Sequence, residues 1–290
     1  MIILNLIIIC IVIIIIFYIL NNIKIPLEHF KSKQNNLCCL YAYYEKDDLY
    51  KNNLKYFLQN GLLPEVDYYI IINGICNVDI PPLDNITVIK RENKGYDFGA
   101  YSYAINNIIK QKYDYYFFMN TSVCGPYLKD NKKPWTKYFL ELFQKDVKIV
   151  GTTINIFCFN KFESYNLQDI YKKDLPFTHI QSMFFCIDAE YFEYLKNINF
   201  FDEDELNSIT NINKIIAYKE LGLSQYALMN GWNINCILSK YKNIDYRKIK
   251  KDINPTSNNG DPYYTDGYFG KSIDKYDVIF LKNNRKIKYN

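Results

Sequence analysis

From Leu37 onward, segments that alternate like strands and segments with helical spacing follow one another. This succession constrains the fold more than any other feature. "LCCLYAYYE" reads as a strand, and "LYKNNLKYFLQNGLL" has apolar residues at helical spacing and ends near Gly61. "DYYIIING" and "ITVIKREN" are strands, "YSYAINNIIKQKY" is helical, and "YDYYFFMN" is the next strand. Strand–helix–strand alternation predicts an α/β layered fold with a mainly parallel sheet and helices on both faces. The second half is more mixed. "VKIVGTTINIF" and "HIQSMFFCID" read as single strands, the latter followed by the helix "AEYFEYLKNI". "NKIIAYKELGLSQYALMNG" reads as a helix ending on Gly231, and "WNINCILSKY" as a short strand.

The N-terminus sets a second constraint. Ile2–Leu20 is apolar apart from Asn5. As a helix it would span roughly 28 Å, close to the thickness of a bilayer core. No basic region precedes it and no small-residue cleavage site follows, so a membrane anchor is expected rather than a removed leader. Lys24, Lys31 and Lys33 come after the span, and by the positive-inside rule they place the rest of the chain in the cytosol. A signal anchor would place it in a lumen instead, and the sequence leaves the two open. The expected organisation is an anchor at 1–21, a polar stem at 22–36, one large domain at 37–245, and a C-terminal extension or lid at 246–290 packed on it.

Composition removes several function classes. The formal net charge is +4 with no long Lys/Arg block, which argues against nucleic acid as a partner. Eight cysteines include no Cys-x-x-Cys pair, and only two histidines are present, so no zinc site is expected. Neither G-x-G-x-x-G nor a P-loop occurs.

Four stretches carry candidate chemistry. In "RENKGYDFGAYSYAI", Asn93, Gly95 and Asp97 lie between a strand and a helix, where backbone can approach a ligand closely. A plain turn with Asp97 capping the helix is the bland alternative. "MNTSV" ends a buried strand on Asn120-Thr121-Ser122, at the kind of strand end where α/β enzymes bind ligands. "FTHIQSMFFCID" places His179 and Gln181 on one face by alternation. "YKELGLSQYALMNGW" offers Glu220 at a helical turn as a general base. Each has an ordinary structural alternative as a turn, a core histidine or a surface acid.

Their order resembles the GT-A glycosyltransferases of the large family 2 type. "NKGYDFGAY", "NTSVCGPY", "HIQSMFF", "GLSQ" and "NGDPYYTDGYFGKSIDKYDVIFLKNNR" together resemble the rhamnan-synthesis-F-like glycosyltransferases, over roughly Cys38–Arg285. The resemblance implies a GT-A-like sheet and a nucleotide-sugar donor held by Asn93, Gly95, Asp97, Asn120, Ser122 and Gln181. It implies a glycan or protein-linked acceptor, inversion with Glu220 as base, and His179 as a second catalytic candidate that, with Gln181, positions the acceptor or donor sugar. In that family type the Asn120–Ser122 position carries Asp-x-Asp, which holds magnesium or manganese on the donor diphosphate. Here the acids are missing, which weakens the case for a tightly held metal: no ligand is assigned, and magnesium or manganese is left open without an Asp-x-Asp pair. Lys282 and Arg285 are the candidates to stabilise the leaving group instead, with Tyr263, Tyr264 and Lys271 nearby in sequence. The rival reading is a catalytically inactive protein that binds carbohydrate or nucleotide sugar on the same fold.

Overall fold

The computed structural model describes residues 35–130, 132–157, 163–174 and 176–285. The anchor expected at Ile2–Leu20 lies outside the described residues. Among these, no helix is long and apolar enough to cross a membrane. Residues Asn36–Asn290 form one compact unit, so both sides of position 246 belong to it.

Eleven strands are described: β1 (Leu37–Tyr43), β2 (Val66–Asn73), β3 (Ile86–Arg91), β4 (Tyr115–Asn120), β5 (Val123–Cys124), β6 (Val147–Gly151), β7 (Ile154–Phe157), β8 (Phe177–Ile180), β9 (Phe184–Asp188), β10 (Asn233–Cys236) and β11 (Leu281–Lys282). Seven of them form a sheet in the order β10-β6-β9-β4-β1-β2-β3. Four of its six pairings are parallel, and β9 runs antiparallel to both of its neighbours. The mainly parallel sheet is as the alternation predicts.

All seven residues of β1 are buried, as befits a strand covered on both faces. Neighbouring phenylalanines show the two covers. Phe117 meets Trp135 edge-on, with ring centroids 5.0 Å apart, while Phe118 meets Tyr101 on the other side, also at 5.0 Å. Trp135 belongs to the helix Trp135–Leu140 and Tyr101 to the helix Tyr96–Tyr103, so helices pack on both faces. The described cysteines are free thiols and most are buried in this core, where they act as small hydrophobes.

Two segments that read as single strands are each broken in two. "VKIVGTTINIF" leaves the large sheet after Gly151, and β7 pairs antiparallel with β8 in a small second sheet. A Cβ on Gly151 would sit 2.4 Å from Ile180 Cγ2, so the crossing is tight enough to require glycine. "HIQSMFFCID" turns at Gln181-Ser182-Met183 between β8 and β9. The predicted helix before Gly231 is also interrupted. A π-helical turn at Ile216–Glu220 separates Ile212–Ile215 from Leu221–Met229.

The C-terminal block is built into the core. Phe280 stacks on Phe184 with centroids 4.1 Å apart and an interplanar angle of 12°. β11 pairs antiparallel with β5, matching Leu281 to Cys124 and Lys282 to Val123. Gly260 has φ +81°, and a Cβ there would fall 2.1 Å from the Ile156 carbonyl oxygen. That close approach lets the 258–261 turn lie against β7, where the Ile156 N–H donates to Gly260 O at 3.2 Å.

Candidate functional site

β1 and β4 run parallel, so their carboxyl ends open on the same edge of the sheet. The helix Tyr96–Tyr103 begins at that edge. Its N-cap is Gly95, in the left-handed region with φ 68° and no side-chain cap. A Cβ at Gly95 would lie 2.6 Å from the Leu206 carbonyl oxygen, so this glycine serves close packing. Asp97, expected as a helix cap in the bland reading, instead turns toward β4 and accepts a 2.7 Å hydrogen bond from Asn120 Nδ2. Asn120 Oδ1 accepts from the Ser122 N–H at 3.0 Å and from Ser122 Oγ at 2.6 Å.

The strand that carries His179 is gripped by the helix that follows Glu220. Ser224 Oγ accepts the Ile180 N–H at 2.9 Å, and Gln225 Nε2 donates to the Thr178 carbonyl at 2.6 Å. These two bonds flank His179 and finish the free edge of β8, which explains the "GLSQ" stretch. Glu220 and Ser224 are four residues apart on this helical segment and so lie on one side of it. The grip sets His179 Nε2 3.7 Å from Glu220 Oε1. Glu220 Oε2 accepts a hydrogen bond from Ser182 Oγ. His179 Nδ1 lies 2.9 Å from the Phe177 carbonyl, which can only accept, so Nδ1 carries a proton and Nε2 faces the carboxylate.

Two cavities open on this edge. One, of about 500 Å³, is lined by Tyr44, Lys46, Asp97, Asn120, Ser122 and Ser182 among others. The second, of about 320 Å³, is lined by Asn155, His179, Gln181, Asp261, Tyr264 and Arg285 among others. Glu220, Lys282 and Ile216 line both. The pairing of β11 with β5, with the Asn283 N–H donating to Ser122 O at 3.2 Å, brings Lys282 beside the polar triplet.

The charges at this seam are tuned by their surroundings. Burial pushes the Asp97 carboxyl up, to about 6, against the pull of the Asn120 hydrogen bond; Glu220 adds to the rise and Lys282 opposes it. Burial also pushes the Glu220 carboxyl up, but His179, Lys282 and Ser182 outweigh it and hold the group at about 2. Burial lowers the Lys282 ammonium below its usual range, aided by Arg285, while Glu220, Asp261 and Asp97 pull the other way. Burial disfavours the charge on Arg285, yet Asp261 overcomes it and the guanidinium ends above its usual range. Arg285 Nη1 donates to Asp261 Oδ2 at 2.7 Å and to the Tyr263 carbonyl at 3.0 Å.

The structure brings together most of the residues singled out in the sequence. Asp97, Asn120, Ser122, Glu220 and Lys282 line the first cavity, and His179, Gln181, Arg285, Glu220 and Lys282 line the second. Gln181 Oε1 accepts from Thr153 Oγ1 at 2.6 Å. Asn93, Gly95 and Tyr263 fall outside. Asn93 is exposed in the loop before Gly95, and neither lines either of these two cavities. Tyr263 is only 1% exposed and packs in the core. The phenol at the cavity is its neighbour Tyr264, whose ring lies under the Arg285 guanidinium at 4.8 Å. The sequence reading missed Tyr44, Lys46 and Asn155, which sit in loops or strands with no motif around them, and Asp261, which lies in the quoted C-terminal block but beside tyrosines and a proline that draw no attention to it.

The donor set suits a hard divalent cation poorly. Asn120 Oδ1 is already occupied by two donors from Ser122, and the nearest acids share the seam with the Lys282 ammonium. Among the described residues, no group of three or more His, Cys, Asp or Glu side chains could hold a metal ion.

Residues 82–259 match the sequence profile of the family described as rhamnan synthesis protein F. The chain belongs to that family. The match takes in Asp97, Asn120, His179 and Glu220, while Asp261, Tyr264, Lys282 and Arg285 lie beyond it. No curated protein matches the chain significantly. Among solved structures it is similar to a mannosyltransferase from Pyrobaculum calidifontis in complex with GDP-Man and Mn2+. Identity is 10% over 68% of this chain and 53% of the other, with a TM-score of 0.40. It is similar to the galactosyltransferase LgtC in complex with donor and acceptor sugar analogs, at 10% identity over 60% of this chain and 67% of the other, TM-score 0.37. Mouse xyloside xylosyltransferase 1 in its apo form gives 10% identity over 68% and 81%, TM-score 0.33. The chain spans about half the length of the mannosyltransferase.

Proposed function

We propose that the chain is a membrane-anchored glycosyltransferase that moves a sugar from a nucleotide-sugar donor to a glycan or protein-linked acceptor hydroxyl. Family membership supports the sugar-transferring class. The observation that carries the reading is the pair of cavities sharing Glu220 and Lys282. A transferase must hold two substrates so that their reacting atoms meet, and a shared wall provides one meeting point.

In this reading the donor lies in the larger cavity, beyond the carboxyl ends of β1 and β4. The acceptor lies in the smaller one, beside His179 and Gln181. Glu220 accepts the proton of the acceptor hydroxyl as the oxygen attacks the anomeric carbon with inversion, and the nucleoside diphosphate departs. A carboxylate held at about 2 is ionised throughout the working range, though a weak base, and His179 stands next to it to share the proton. Lys282 faces the negative charge that grows on the leaving diphosphate, the role a divalent cation would fill at an acidic triplet. The anchor at Ile2–Leu20 holds the enzyme at a membrane.

A thermal-shift series with UDP-, GDP- and dTDP-sugars tests the donor assignment. One nucleotide series is expected to raise the melting temperature in a concentration-dependent way. No shift with any of them would refute it.

A further inference from the structure

The neutral strand end has a specific cause in the structure. The atom of Asn120 that faces the Ser122 N–H at 3.0 Å must be an acceptor, which fixes it as Oδ1. The amide nitrogen is therefore the atom that faces Asp97, and Asp97 Oδ2 is its acceptor at 2.7 Å. Asn120 is 8% exposed, and both ends of its amide are taken up by these bonds.

An aspartate at position 120 would keep the bond to Ser122 but set an oxygen against Asp97 Oδ2 at hydrogen-bond distance. Two carboxylates so placed cannot both be ionised. One charge fits this corner, and it stands on Asp97. The only hydrogen bond to the Asp97 carboxylate among the described residues is that from Asn120, which leaves Oδ1 uncommitted. Asp97 lines the larger cavity together with Glu220 and Lys282.

We infer that the acid of this corner is transposed from the strand end to the helix start, with Asn120 as the positioning residue that aims Asp97 Oδ1 at a hydroxyl of the bound donor. The hydroxyl contact rests on the glycosyltransferase reading, whereas the coupling of the two side chains does not. The ligand chemistry is a neutral hydroxyl donor, of a ribose or of the transferred sugar, because a carboxylate beside a phosphate would repel it.

Exchange of the pair tests the inference. Four full-length proteins are compared: wild type, Asn120→Asp, Asp97→Asn, and the double variant Asp97→Asn/Asn120→Asp. Thermal unfolding at pH 8 reads the coupling without any donor. Asn120→Asp is expected to melt well below wild type or to fail to fold, and the double variant to recover. Turnover of the UDP-, GDP- and dTDP-sugar panel reads the hydroxyl contact. Each single variant is expected to lose about 100-fold in kcat/KM, and the double variant to regain at least about tenfold of the Asn120→Asp loss. Wild-type stability in Asn120→Asp, or a double variant no better than Asn120→Asp, would overturn the coupling. Recovered stability with turnover as low as in the singles would overturn the hydroxyl contact alone. Absence of wild-type turnover with every sugar would count against the function and the hydroxyl contact, while the unfolding series still decides the coupling.

Discussion

His179 Nε2 lies 3.7 Å from Glu220 Oε1, although one residue belongs to a strand and the other to a helical turn about 40 residues further along the chain. Ser224 and Gln225 bring the two together, by taking the Ile180 N–H and donating to the Thr178 carbonyl on either side of the histidine.

Ser224→Ala removes the acceptor of the buried Ile180 N–H. The variant is expected to lose about 1–3 kcal/mol of stability, the usual cost of a buried unpaired donor. It should also lose turnover, mainly in kcat, as β8 drifts from Glu220. Chemical denaturation with steady-state kinetics on the same sample checks both.

Asp97 gives a pH dependence with two opposite signs. Its folded value, about 6, is above that of an unfolded carboxyl, about 4. The stability it contributes is therefore complete below about pH 4 and is lost as the pH rises through about 6. Asp97→Asn should be more stable than wild type at pH 8, by about 2 kcal/mol, and no more stable below pH 4. Donor affinity should run the other way in wild type, weakening as the pH falls through about 6, and this limb should vanish in Asp97→Asn. Melting curves and donor titrations at pH 4, 6 and 8 read both signs.

Lys282→Met should leave the fold intact and reduce kcat by about 100-fold or more, the scale reported when one preorganised electrostatic contact to a developing charge is removed. If Lys282 fills the cation's role, a strong chelator leaves wild-type turnover unchanged. Dialysis against chelator with and without added manganese, followed by the same rate assay, separates the two cations.

Much of the fold was readable in the sequence because burial on both faces writes long apolar runs. β1, β2 and β4 stand out for that reason. The breaks at Gly151 and at Gln181–Met183 were not readable, since each is only a few small or polar residues between apolar stretches and is set by the pairing of β7 with β8. The site was partly legible: Asp97, Asn120, His179 and Glu220 sit in recognisable stretches, yet only the fold reveals that Asn120 serves Asp97. Tyr263 and Tyr264 illustrate the limit. Adjacent tyrosines point oppositely, and nothing in "DPYY" says which one is buried.

Gly260→Ala probes the docking of the C-terminal block. With φ +81° and the Ile156 carbonyl oxygen 2.1 Å from any Cβ, the turn must move, and Asp261 and Arg285 with it. The variant is expected to be destabilised and to lose turnover together, as seen in a melting curve and a rate assay.

The most direct test of sugar transfer at the seam is turnover of the UDP-, GDP- and dTDP-sugar panel by the full-length chain and its Glu220→Gln variant, with donor binding measured alongside. The account predicts that wild type consumes at least one donor, and that Glu220→Gln binds this donor with similar affinity but turns it over about 100-fold or more slowly. Wild-type turnover retained by Glu220→Gln would contradict it.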